Sequence, residues 1–144
     1  MNKTIENFGY PSILIKEYEN WVVMLRPKQI TLGCLVLAEK SAAISYGEIT
    51  DDALMEQKKI VQDIELNLKN QFGAEKFNYL MLMMVDPNVH FHVIPRYSEE
   101  KEFSGKKFTD PNWSSPPDMG NIHDLSENQT EELLQTLRES WVSA

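Results

Sequence analysis

A single domain that joins an antiparallel β-sheet to one long helix is predicted by three observations. Three short β-rich runs follow one another at turn-length intervals near the start, an apolar stripe at helical spacing comes next, and two further β-rich runs flank Asp86-Pro87-Asn88. The 144 residues supply one hydrophobic core and are too few for two ordinary domains.

"SILIKEY", "NWVVMLR" and "ITLGCLVLAEK" form the first group, separated by Glu19-Asn20 and Pro27-Lys28-Gln29, which reads as a meander. The period then changes. In "EITDDALMEQKKIVQDIELNLKNQFG", Leu54, Val61, Ile64, Leu68 and Phe72 recur at helical spacing, Thr50 or Asp51 caps the start, and Gly73 ends the helix. "FNYLMLMMV" is apolar at odd and even positions alike, so both of its faces are expected to be covered at the centre of the sheet. The turn Asp86-Pro87-Asn88 returns the chain as its antiparallel neighbour. Residues 98–125 lack steady periodicity and read as a long loop of the kind that often covers a functional site. Ser126 and Gln129 have capping-box spacing, so a short helix at about 126–142 closes the chain.

A net charge of −8 argues against a broad nucleic-acid footprint, although a few local donors suffice for a small anion. No segment approaches the ~20 apolar residues of a membrane span. The first residues, "MNKTIENFGYPS", lack the apolar core of a signal peptide, and Cys34 has no second cysteine to pair with. A cytoplasmic protein with no membrane partner is expected.

The chemistry concentrates in "DPNVHFHVIPRY", residues 86–97. Residues i and i+2 of a strand point to the same face, about 6.5–7 Å apart, so His90 and His92 share one face while Phe91 and Val93 take the other. Three readings fit this pair. The imidazoles are structural; or they ligate a metal, for which His123 or a carboxylate would have to supply a third ligand; or one is a nucleophile and the other its helper, since a neutral imidazole attacks phosphorus well near pH 7.

"NVHFHVIPR" resembles the motif of the histidine triad family, His-φ-His-φ-His-φ-φ with φ hydrophobic, often followed by Pro-Arg. "GCLVLAEK" is similar to the family's Gly-His-φ-φ-φ strand, and "FGAEKFNYLML" to the segment that introduces an asparagine. The resemblance covers roughly residues 10–97. It implies an α+β domain built on a five-stranded antiparallel sheet, here with one long helix and a short C-terminal helix. It also implies a homodimer that binds nucleotides without a metal or other cofactor.

The activity the resemblance implies is attack on the α-phosphate of a nucleoside phosphoramidate or dinucleoside polyphosphate. His90 takes the place of the nucleophile that forms a covalent nucleotidyl intermediate, and His92 that of a donor to phosphate or leaving group. Asn78 looks like the asparagine that holds phosphate oxygens; its plain reading is a strand residue. Arg26 and Trp21 lie where relatives form the base and ribose pocket, and Trp21 reads equally as core. Arg96 is a phosphate candidate if Pro95 leaves the strand alternation intact, and Lys106, Lys107 and Trp113 offer cations and an aromatic surface in the loop.

Two family positions are altered. Asn88 stands for the first triad histidine and Cys34 for the histidine after glycine. The family orients its nucleophile through the main-chain carbonyl of the first triad residue, which Asn88 still supplies. Asn88 reads equally as the close of the Asp-Pro-Asn turn, and Cys34 as a small buried strand residue. The expected function is therefore a nucleotide hydrolase or nucleotidyl transferase acting through His90. The alternatives are a non-catalytic nucleotide sensor with a degenerate triad, and a metal-dependent enzyme.

Overall fold

The computed structural model describes residues 1–144. Strands β1 (Leu14–Glu17), β2 (Trp21–Leu25) and β3 (Leu35–Glu39) form the expected antiparallel meander. Helix α2 (Asp51–Phe72) follows, then β4 (Lys76–Leu80) and β5 (His90–Arg96), giving one sheet in the order β1-β2-β3-β5-β4. Helix α3 (Glu127–Ser140) packs against α2 and β1. The α+β class, the five antiparallel strands, the long helix and the shorter C-terminal helix agree with the sequence reading.

Helix α2 begins where Thr50 Oγ1 accepts from the Ala53 N–H at 3.1 Å and stops at Gly73, whose φ of 71° satisfies the last turn. Ile60, Ile64, Leu68 and Phe72 face the core, with Trp21, Val23, Leu25, Leu35, Leu37 and Val93 opposite. A fully buried aliphatic side chain of this kind stabilises by about 1.5–3 kcal/mol. Leu54, expected on the buried stripe, is half exposed, because Ala53, Gln57 and Ile60 define the inward face. Gly33, at φ 89°, sits against this helix: a Cβ there would lie 3.1 Å from the Phe72 ring.

Three further differences bear on the site. First, β4 is an edge strand rather than the centre, because β5 inserts between it and β3. The chain leaves the sheet after Leu80, with Met83 at φ 54°, and Leu82, Met84 and Val85 are exposed. Second, the segment expected as an unbroken loop contains a hairpin, β6 (Lys101–Phe103) and β7 (Lys106–Phe108), turning at Ser104-Gly105 with both φ positive.

Third, a short N-terminal helix α1 (Lys3–Phe8) packs on the sheet face opposite α2, where Ile5 meets Val22, Met24, Val36 and Ala38. Its signals are present in sequence. Asn2 accepts from the Ile5 N–H at 3.0 Å, and Gly9 closes the helix at φ 114°.

Candidate functional site

Antiparallel pairing fixes which side chains share the face that carries α1. His90 opposes Ala38, His92 opposes Val36 and Leu80, and Asn78 opposes Ile94. Strand β5 runs without a break through Pro95, which pairs with β4 beyond the last residue that pairs with β3. The alternation therefore puts His90, His92, Ile94 and Arg96 on one face. Phe91 and Val93 turn to the α2 side, Val93 into the core and Phe91 against Trp21 and Tyr46.

The imidazoles of His90 and His92 lie 5.2 Å apart between ring centroids and nearly perpendicular, at 82°. Phe8 of α1 presents its ring to both, at 5.4 Å from His90 and 5.9 Å from His92. His90 Nδ1 is 2.7 Å from the main-chain oxygen of Asn88. A carbonyl only accepts, so Nδ1 carries the hydrogen, and in the neutral ring Nε2 keeps its lone pair. Arg26 Nε donates to His92 Nδ1 at 3.1 Å. Burial, then the Arg26 charge and His90, lower the His92 pKa from about 6.5 to about 4, against an opposing pull from Asp86.

Both histidines border a cleft of about 520 Å³. Arg26, Pro27 and Lys28 form one rim, Asn7 and Phe8 another, and Leu82, Met83, Met84, Val85 and Asp86 the third. Asn7 Nδ2 donates to Asp86 Oδ1 at 3.2 Å, which ties α1 to the last of these. Arg26 and Lys28 are the cations of the cleft.

The remaining sequence candidates go elsewhere. Asn88 keeps its carbonyl on His90, but its side chain serves α1: Oδ1 accepts from Thr4 Oγ1 at 3.0 Å and Nδ2 reaches the carbonyls of Ala42 and Ala43 at 3.4 Å. Trp21 is fully buried on the α2 side and donates to the Ala53 carbonyl at 2.8 Å, so its expected place in a base pocket is corrected to core.

Arg96 shares the histidine face, yet all five of its N–H donors are engaged. They reach Asp110 at 2.6 and 2.9 Å, Asn78 Oδ1 at 2.8 Å, and the carbonyls of Ser115 and Asn112 at 2.8 and 2.7 Å. Arg96 and Asn78 thus anchor residues 110–115 to the sheet instead of facing the histidine cleft. With Trp113 they line a separate, more open cavity of about 830 Å³ that shares no lining residue with the first. That cavity is the larger, but the imidazoles are not in it. Lys106 and Lys107 belong to β7 and line neither cavity.

Cys34 is buried, with Sγ 3.4 Å from Thr31 Oγ1, and desolvation raises its thiol pKa, so it behaves as a packing residue. His123 is tied to the loop by the Thr109 N–H at 3.0 Å and stacks near Phe108. No three histidine, cysteine, aspartate or glutamate side chains converge with the geometry of a metal site.

Sequence reasoning missed α1, Phe8 and the apolar rim 82–85. Asn2 and Gly9 could have signalled the helix, whereas nothing local signals that Phe8 reaches β5.

No protein-family model matches the sequence, and no curated protein is similar to it in sequence. Comparison with solved structures does find likenesses. A histidine triad protein of Bradyrhizobium japonicum superimposes with a TM-score of 0.73 at 15% identity, covering 99% of this chain and 97% of the other. A histidine triad protein of Sinorhizobium meliloti gives 0.71 at 24% identity, covering 96% and 94%. A hypothetical histidine triad nucleotide-binding protein of Sulfolobus tokodaii gives 0.71 at 22% identity, covering 95% and 88%. At these identities the likeness establishes the fold, and the chain has the histidine triad fold over nearly its whole length.

Proposed function

We propose that the protein is a nucleotide-binding hydrolase or nucleotidyl transferase whose nucleophile is His90 Nε2. The observation that carries this reading is the 2.7 Å contact between His90 Nδ1 and the Asn88 carbonyl, which puts the lone pair of the neutral ring on Nε2 beside a cleft. In the first step the Nε2 lone pair forms a bond to the α-phosphorus, and the bond from phosphorus to the leaving group breaks with its electrons on that group. Water or another acceptor then attacks the same phosphorus, and the N–P bond breaks to restore the imidazole. Arg26 and Lys28 supply positive charge for the phosphates, and His92 faces the same space as a donor. The substrate class is a nucleoside phosphoramidate or dinucleoside polyphosphate, in agreement with the nucleotide-binding description of the Sulfolobus neighbour.

Binding without turnover is the second reading. It is favoured by the engagement of Arg96 and Asn78 with the 110–115 segment, which removes two expected phosphate contacts. Rapid-quench mass spectrometry of the intact protein with a panel of both substrate types separates the two. A nucleotidyl adduct on wild type, absent from His90→Ala, supports catalysis; nucleotide binding by both proteins with neither adduct nor product supports the sensor.

A homodimer formed through the unpaired edge of β4 belongs to the same proposal, since an outermost strand offers a row of free backbone groups. A light-scattering mass of one chain would contradict it.

A further inference from the structure

Arg26 touches the histidine pair directly, and the chemistry of that contact constrains what the site can break. Guanidinium nitrogens only donate, so His92 Nδ1, 3.1 Å from Arg26 Nε, accepts. A neutral imidazole has one N–H, which must then be on Nε2, the nitrogen away from Arg26. The guanidinium is itself held in place. Nη1 donates to the Lys28 carbonyl at 2.6 Å, and the Arg26 backbone N–H donates to the Cys34 carbonyl at 3.0 Å.

A second proton on His92 would have to displace this bond and sit beside a cation. The charged or titratable groups acting on the ring are Arg26 from the end of β2, His90 from β5 and Asp86 from the rim, and only Asp86 favours protonation. The wall contributed by α1 is the neutral Phe8. His92 therefore offers a hydrogen bond but has no proton to give away, since losing the Nε2 hydrogen would leave an imidazolate. The hydrogen-bond partners of the two imidazoles are Arg26, which donates to His92 Nδ1, and the Asn88 carbonyl, which accepts from His90 Nδ1.

Building on the nucleophilic reading of His90, we propose that Arg26 is a positioning residue that fixes His92 as a neutral Nε2–H donor, and that the site therefore selects nucleotide phosphoanhydrides over phosphoramidates. In an anhydride, the His90 N–P bond forms as the bridging P–O bond breaks. The electron pair stays on a phosphate oxygen, which is stable as an anion and needs only the His92 hydrogen bond. In a phosphoramidate, the breaking P–N bond must deliver its electrons to an amine, which leaves readily only with an added proton. His92 locked by Arg26 cannot provide one.

Two measurements on the intact protein test this. The first is two-dimensional NMR of the ¹⁵N-labelled imidazoles between pH 5 and 8. Wild-type His92 is expected as the Nε2–H tautomer, uncharged throughout. In Arg26→Ala and Arg26→Gln it should sample both tautomers and titrate nearer the ordinary value of about 6.5. The second is wild-type kcat/KM for a diadenosine polyphosphate against adenosine 5′-phosphoramidate. The expected preference for the anhydride is about 10²-fold, the lower end of what general acid catalysis contributes. It should narrow in Arg26→Ala below pH 6.5, where His92 can become a proton source.

An Nδ1–H tautomer or a wild-type His92 titrating near 6.5 overturns the role of Arg26. Equal or faster turnover of the phosphoramidate overturns the selectivity. Absence of any His90 adduct with either substrate removes the nucleophilic reading and the selectivity together, whereas the NMR result judges the Arg26 contact by itself.

Discussion

Asn88 divides its labour between two groups: the main-chain carbonyl accepts from His90 and orients it, and the side-chain amide holds α1 through Thr4. These roles are separable by mutation. Asn88→Ala removes the acceptor of the buried Thr4 hydroxyl hydrogen and should destabilise the protein by about 1–3 kcal/mol, measured by denaturant unfolding. It leaves the carbonyl in place, so nucleotidyl transfer to His90 should persist in the folded fraction; its loss would mean that the side chain acts in the chemistry. The histidine pair was legible in sequence because alternation alone puts His90 and His92 on one face. The side-chain engagements of Asn88, Trp21 and Arg96 were not. Their partners Thr4, Ala53 and Asp110 are brought to them by the fold, and no local pattern announces such contacts.

Among the elements, α2 and the meander were readable because period and caps agree with burial. The run 77–85 misled because its two-sided apolarity comes from two causes. Residues up to Leu80 pack in an edge strand, and those beyond it form the exposed rim of the histidine cleft. The 98–125 segment is tied to the sheet through Arg96, whose buried ion pair with Asp110 has both side chains almost wholly inaccessible. Asp110→Ala leaves the guanidinium without its charge partner and should cost about 3–5 kcal/mol. Limited proteolysis should then cut between residues 109 and 118, whereas wild type should resist. Since this segment lines the second cavity, nucleotidyl transfer to His90 in protein that remains folded should change little, which checks that the histidine cleft is the working one.

At the scale of the whole molecule, the depressed pKa of His92 ties stability to pH. The native state declines a proton that the unfolded chain takes up near pH 6.5, so the native advantage is complete above 6.5 and falls progressively toward about pH 4. His92→Gln should lose less stability than wild type between pH 7 and 5, read as the difference between two denaturation curves; equal losses would place the ring in a solvent-like setting. The proposed chemistry rests on one atom, His90 Nε2, at the oriented imidazole beside the cleft. The most direct measurement is the attachment point of the nucleotidyl group in the trapped intermediate, read by ³¹P–¹⁵N NMR of protein labelled in its histidines. The account predicts a bond from phosphorus to His90 Nε2; attachment at His90 Nδ1 or on His92 would contradict it.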